Sequence, residues 1–322
     1  MHSPLLTVEN LKIYFEKEDS VAKAVDGVDF EIDSGETVCL VGESGCGKTV
    51  TALGLLGLVP QPQGRIKQGG IRFKGTEITS LSRRDLEQIR GKQMSMVFQD
   101  PLTSLNPVLS IGEQIKEVLN IHERLQTREI NRRCIQALQD VGISNPQQRL
   151  GSYPHELSGG QLQRVMIAMA MVCNPELVIA DEPTTALDVT IQAQILNLLK
   201  SVQEQGHRSV LYITHDLGVV ANVAKRVYVM YAGVVVEQGY VENIFDNPRH
   251  PYTQGLLASI PSMSKKGKKL PSIEGSVPDP AHKPEGCPFH PRCYAARTYC
   301  RQEFPSMVDC GQKQKSRCPV IN

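Results

Sequence analysis

The chain has 322 residues, and 35 Lys and Arg balance 34 Asp and Glu to leave a formal charge of +1. That length supplies enough apolar sequence for about two domains, and the near-neutral charge excludes a strongly basic nucleic-acid binder. No apolar run reaches the about 18 residues that cross a bilayer, and residues 1–10 lack a secretory pattern, so the expectation is a cytosolic chain with reduced thiols.

Taken in chain order, residues 5–15 and 25–32 read as an antiparallel strand layer. Short β-branched apolar runs at 37–41, 94–98, 177–180, 209–214 and 226–230 alternate with longer helical patterns, which predicts a parallel α/β core. Between residues 98 and 177 the pattern is mostly helical, and predicts a helical insertion at about 100–172. From about residue 246 the chain turns proline-rich and loses its apolar periodicity. Its cluster of Lys265, Lys266, Lys268 and Lys269 reads as a solvated loop. Cys39, Cys46, Cys134 and Cys173 are scattered, whereas Cys287, Cys293, Cys300, Cys310 and Cys318 fall in the last 36 residues.

Gly42, Glu43, Ser44, Gly45, Cys46, Gly47, Lys48 and Thr49 follow the predicted strand 37–41 and open a helix near Lys48. This is the GxxxxGK[ST] pattern in its strand–loop–helix setting. Glycines let successive backbone N–H groups turn around phosphate oxygens, and the helix N-terminus adds positive charge. Lys48 is expected on the β and γ phosphates and the Thr49 hydroxyl on Mg²⁺, so the chain is expected to bind a nucleoside triphosphate. Cys46 is expected to do no chemistry, although its alkylation should block ATP. The run 177–182 is an apolar strand ending in two carboxylates. Asp181 is expected to hold Mg²⁺, and Glu182 to polarise the attacking water.

Leu157, Ser158, Gly159, Gly160 and Gln161 stand 20 residues before Asp181 at their last position. With the phosphate loop and the strand-end acids, they resemble the signature of ABC ATPases. The resemblance covers about residues 5–245 and implies roles for further residues. Gln99 is the Q-loop glutamine on Mg²⁺ or the lytic water, Ala186-Leu187-Asp188 the D-loop, and His215 the switch histidine on the γ-phosphate. Phe15 matches the adenine-stacking aromatic, with Tyr14 as the neighbouring candidate. Ser158 is an N-cap type residue before a helical run at 161–172, so Ser158, Gly159, Gly160 and Gln161 form a second anion site. The resemblance implies that this site completes the ATP pocket of a partner in a head-to-tail dimer.

Residues 246–257 resemble the C-terminal extension of ATPases that serve oligopeptide, dipeptide and nickel importers, and the cysteines continue that resemblance to the chain end. His250, beside Pro251 and Tyr252, is expected to pack rather than to ligate. The spacing C-x5-C-x6-C-x17-C of Cys287, Cys293, Cys300 and Cys318 resembles a [4Fe–4S] ligand set in dipeptide-importer relatives, with Cys310 a spectator. Zn²⁺ and free or disulfide-linked thiols are the alternatives, although the C-x2-C knuckles common in zinc sites are absent.

The expected fold is α/β: a P-loop ABC ATPase with a parallel sheet core, an antiparallel β layer, a helical subdomain and a small irregular Cys-rich extension. The expected domains are 1–245 and 246–322. The expected function is ATP hydrolysis powering import of di- or oligopeptides. The expected location is the cytoplasmic face of the inner membrane, reached through two transmembrane permease subunits. A second ATPase, homologous or identical, and an extracytoplasmic substrate-binding protein complete the expected partners, with no nucleic acid. A nickel or other small-solute importer is the alternative, then a soluble non-transport ABC ATPase.

Overall fold

The computed structural model describes residues 3–185, 188–206, 208–260 and 271–320. The chain forms two compact units, residues 1–33, 37–80 and 213–322 in one and 34–36 with 81–212 in the other. The expected division at 245/246 is not a boundary between these units, because the extension belongs with the strands that carry the phosphate loop.

In the first unit β1 (Leu6–Lys17), β2 (Ser20–Ile32), β4 (Gly64–Phe73) and β5 (Thr76–Glu77) form an antiparallel sheet in the order β2-β1-β4-β5. This is the expected antiparallel layer, with two strands more than the sequence suggested. Beside it lie β3 (Thr37–Val41), β9 (Arg226–Tyr231) and β10 (Val234–Tyr240). β3 pairs parallel with β9, and β9 antiparallel with β10. The short β11 (Val308–Asp309) and β12 (Lys315–Ser316) of the extension add to the β10 edge. Val38, Cys39, Leu40 and Val41 are all buried, as a strand covered on both faces requires.

α1 (Lys48–Leu55) follows β3 directly. Its N-cap, Gly47, sits at φ 104°, a backbone that favours glycine, and supplies no side-chain cap.

In the second unit β6 (Met94–Val97) pairs parallel with β7 (Leu177–Asp181), and β8 (Ser209–Thr214) continues the order β8-β7-β6. α2 (Arg83–Ile89) precedes β6. The segment between β6 and β7 is helical, as expected: α3 (Pro101–Ser104), α4 (Ile111–His122), α5 (Thr127–Asp140), α6 (Pro146–Arg149) and α7 (Gly159–Met171). Ile111, Ile115 and Leu119 recur at helical spacing on the buried face of α4 and meet Ile130, Cys134 and Leu138 of α5 in kind. Each such side chain contributes about 1.5–3 kcal/mol by leaving water. Ser110 caps α4 reciprocally with Glu113, which sets where the helix begins.

α8 (Val189–Gly206) follows β7, and Asp188 accepts from the Ile191 N–H at its start. α9 (Leu217–Val223), α10 (Val241–Asp246) and α11 (Pro251–Ala258) complete the α-helices among the described residues. None of those helices is long and apolar enough to cross a membrane.

Candidate nucleotide site and the C-terminal extension

The phosphate loop is built from close backbone approaches. Lys48 is 4% exposed, and its Nζ donates to the carbonyls of Gly42 at 2.8 Å and Glu43 at 3.0 Å. The ammonium is thus parked on loop carbonyls, from which it can transfer to phosphate oxygens. Thr49, next along α1, is exposed and presents a hydroxyl. Gly233, in the tight turn between β9 and β10, donates its N–H to the Cys46 carbonyl at 2.8 Å and braces the loop from behind. Cys46 itself is fully buried, with Sγ 3.9 Å from the Lys48 Nζ, and burial pushes its thiol up. A buried thiol is a poor nucleophile, so the alkylation expected to block ATP should be slow there.

The two aromatic candidates differ in commitment. Tyr14 donates its phenol proton to Asp26 at 2.6 Å, and burial together with that carboxylate holds its pKa above the ordinary value. Phe15 pairs with Ala22 across the β1–β2 hairpin and has no polar group to commit. His215 is exposed at the end of β8, just before the Asp216 cap of α9.

In the second unit Asp181 is buried at the end of β7, and Glu182 follows with φ 45°. A left-handed glutamate is a strained conformation of the kind found where geometry serves function. Its Oε2 accepts from Gln99 Nε2 at 3.2 Å and from Thr185 Oγ1 at 2.9 Å. The structure therefore joins the Q-loop residue directly to the candidate base. Ser158 caps α7, and its N–H donates to Gln161 Oε1 at 3.0 Å. Gly159 and Gly160 form the first helical positions, two residues earlier than the expected start. Ala186 and Leu187 lie outside the described residues, as do the four tail lysines.

Residues 25–185 match the family described as ABC transporter, and residues 236–300 match the oligopeptide/dipeptide transporter C-terminal region. The chain belongs to the ABC transporter family. It is similar to the Bacillus subtilis oligopeptide transport ATP-binding protein AppD, 52% identical over 98% of this chain and 96% of AppD. It is also similar to the dipeptide transport ATP-binding protein DppD of the same organism, 46% identical over 99% of this chain and 93% of DppD. Among solved structures, the dimeric ATP-binding cassette MJ0796 bound to ADP and Pi is 27% identical, with a TM-score of 0.66 over 73% of this chain and 98% of that one. The chain is an ATPase of this family, and it uses ATP and Mg²⁺.

The extension of this ABC ATPase is tied to the first unit by buried polar groups. Glu237, fully buried in β10, accepts from the N–H groups of Arg249 and His250 at 2.7 and 2.9 Å and from Gln314 at 2.7 Å. Burial raises its pKa despite those bonds. His250 is 1% exposed and caps α11, its Nδ1 accepting from the Tyr252 N–H at 3.1 Å. Burial lowers its pKa to about 3, so the ring is neutral. The expected packing role is the observed one, with a helix cap added.

Cys287, Cys293, Cys300 and Cys318 line one cavity with His250, Phe289 and Tyr299, and Cys310 is not among its lining residues. Burial pushes the Cys287 thiol up to about 11 and raises that of Cys293, so both are protonated near neutrality. The donor chemistry suits a soft metal. The space does not: the cavity is about 20 Å³, room for roughly one water. No group of three or more His, Cys, Asp or Glu side chains among the described residues is arranged to hold a metal ion. The expected ligand sets for a [4Fe–4S] cluster and for Zn²⁺ are therefore not formed in this arrangement, although the four expected cysteines do converge.

Two groups at the phosphate loop and one at β2 escaped sequence reasoning. Arg292 forms a two-pronged ion pair with Glu43, Tyr252 accepts from the Glu43 N–H, and Lys283 stands 3.6 Å from Asp26. Local pattern carries no signal for partners 249 and 209 residues apart. A lone arginine inside C-x5-C was the nearest hint.

Proposed function

We propose that this chain is the ATP-hydrolysing subunit of an importer of di- or oligopeptides. It sits on the cytoplasmic face of the cell membrane, held there by two membrane-spanning permease subunits. A second ABC ATPase and an extracytoplasmic substrate-binding protein complete the assembly. One observation carries the reading: a cassette and a peptide-transporter extension occur in one chain that aligns almost end to end with relatives named for oligopeptide and dipeptide transport. The functional division we propose is 1–245 for the cassette, with a helical subdomain at about 100–172, and 246–322 for the extension.

The site residues take the following roles. The N–H groups of the 42–49 loop and Lys48 bind the phosphates, and Phe15 stacks on adenine because Tyr14 is committed to Asp26. The Thr49 hydroxyl and the Asp181 carboxylate, both hard oxygen donors, hold Mg²⁺ with Gln99 nearby. Mg²⁺ when bound neutralises phosphate charge. Glu182 accepts the proton of the attacking water, and His215 contacts the γ-phosphate. Gln99 holds Glu182 through its side-chain amide, so movement of the helical segment that follows Gln99 frees the base. Ser158, Gly159, Gly160 and Gln161 serve the ATP bound by the second ATPase. That dimer is supported by the dimeric ATP-binding cassette to which this chain is similar.

The four converging thiols are proposed as ligands of a [4Fe–4S] cluster, supported by their shared cavity. Accommodating it requires that cavity to widen. No step of hydrolysis is assigned to the cluster.

The experiment is uptake of a labelled dipeptide and oligopeptide, beside nickel uptake, in cells whose only copy carries Lys48→Ala. Loss of peptide uptake alone supports the proposal. Loss of nickel uptake alone moves the cargo to a metal chelate, and retention of both overturns the importer reading.

A further inference from the structure

Glu43 is the second residue of the phosphate loop, and every polar part of it is held. Its carbonyl accepts from Lys48 at 3.0 Å, and its N–H donates to the Tyr252 hydroxyl at 2.8 Å. Its carboxylate takes both prongs of Arg292, Nη1 to Oε2 at 2.6 Å and Nη2 to Oε1 at 2.9 Å. The Lys48 bond must be given up when phosphate arrives. The other two come from the C-terminal extension and need not change.

Arg292 is itself fixed before it meets Glu43. Its side chain is 6% exposed. Nε donates to the Glu274 carbonyl at 2.8 Å, Nη2 to the carbonyls of Ile273 at 3.2 Å and Gly275 at 3.3 Å, and Nη1 to the Tyr231 hydroxyl at 3.3 Å. The guanidinium lies over the Tyr231 and Phe289 rings. Tyr231, Tyr252 and Phe289 contact one another in a single aromatic cluster, with ring centroids 4.7–5.3 Å apart. A rigid, planar, bidentate donor of this kind specifies position as well as adding attraction.

We infer that Arg292 is a positioning residue of the nucleotide site: the extension holds Glu43, and through it the phosphate loop, in the form that accepts a triphosphate. The extension is then part of the ATP-binding machinery of its own chain. An unbraced loop would lose affinity because ordering it must be repaid on binding. The inference rests on the reading of residues 42–49 as the ATP site.

The test measures ATP affinity by calorimetry on the full chain for Arg292→Gln, Glu43→Gln, the double variant and Arg292→Lys, with melting temperature recorded for each. Glu43→Gln leaves the extension's own bonds to Arg292 intact, so it separates a loop effect from a folding defect. Each single variant is expected to weaken ATP binding about tenfold, the scale of one charge-assisted pair. The double variant is expected to be no weaker than either single one, and Arg292→Lys to recover only part of the affinity because it cannot bind both oxygens. Lys48→Ala is the reference. If it binds ATP normally, the phosphate-loop reading itself has failed. If it abolishes binding while Glu43→Gln stays within twofold of the parent, or the two single losses add in the double variant, the positioning role is overturned.

Discussion

The phosphate loop contains three glycines, Gly42 and Gly47 fixed by the motif and Gly45 at one of its open positions, and the fold surrounds each differently. A methyl added at Gly47 would stand 2.3 Å from the Ala24 carbonyl oxygen and 2.9 Å from Met230 Cε, at φ 104°. One added at Gly42 would stand 2.1 Å from the Met230 carbonyl oxygen. At Gly45, with φ 80°, nothing lies within 4 Å. Gly45→Ala therefore incurs only the left-handed backbone term, about 1–2 kcal/mol. If all of it is drawn from loop ordering, ATP affinity falls roughly 5- to 30-fold. Gly47→Ala adds an overlap with a backbone oxygen of the sheet, which no rotamer change relieves, so β2 or the loop must shift. Loss of detectable ATP binding is expected there and at Gly42→Ala. Titration with a fluorescent ATP analogue, with thermal melts to show that each variant is folded, checks all three. Equal affinities for Gly45→Ala and Gly47→Ala would refute the reasoning, because the two differ only in what the new methyl meets.

Glu182→Gln should keep ATP binding and lose hydrolysis, since Gln can still accept from Gln99 and Thr185 but cannot take a proton at neutral pH; steady turnover in that variant removes Glu182 from the base role. His250 charges in the unfolded chain near pH 6.5 but only near about 3 in the folded one, so stability is lost as the pH falls below about 6.5. That group alone should lower unfolding free energy by about 2 kcal/mol between pH 7 and 5. His250→Asn, which keeps a cap oxygen for the Tyr252 N–H, should flatten that slope in urea melts, and an unchanged slope counts against the assignment. Protein purified without oxygen should carry about four iron and four sulfide per chain if the extension holds a cluster. Stoichiometric zinc, or no metal, would dismiss that proposal.

Legibility followed the range of the interactions. Strand 37–41 and strand 209–214 coincide with β3 and β8, because a short β-branched run buried on both faces is a local pattern. β4 was missed: Gly64, Gly69 and Gly70 thin its β signal, and pairing with β1 supplies what propensity does not. β10 was missed although it is Val-rich, because the extension that covers its edge is remote in sequence.

The sequence by itself determined the phosphate loop, the strand-end acids and the signature. Each of these is a run of adjacent residues whose backbone does the work, so spacing alone encodes it. Only the tertiary structure decided which partners individual side chains meet. It buried Cys46, committed Tyr14 to Asp26, set Glu182 against Gln99, brought four thiols to a cavity still too small for a cluster, and placed Arg292 on Glu43. Those outcomes depend on where distant chain segments meet, and no local periodicity records that.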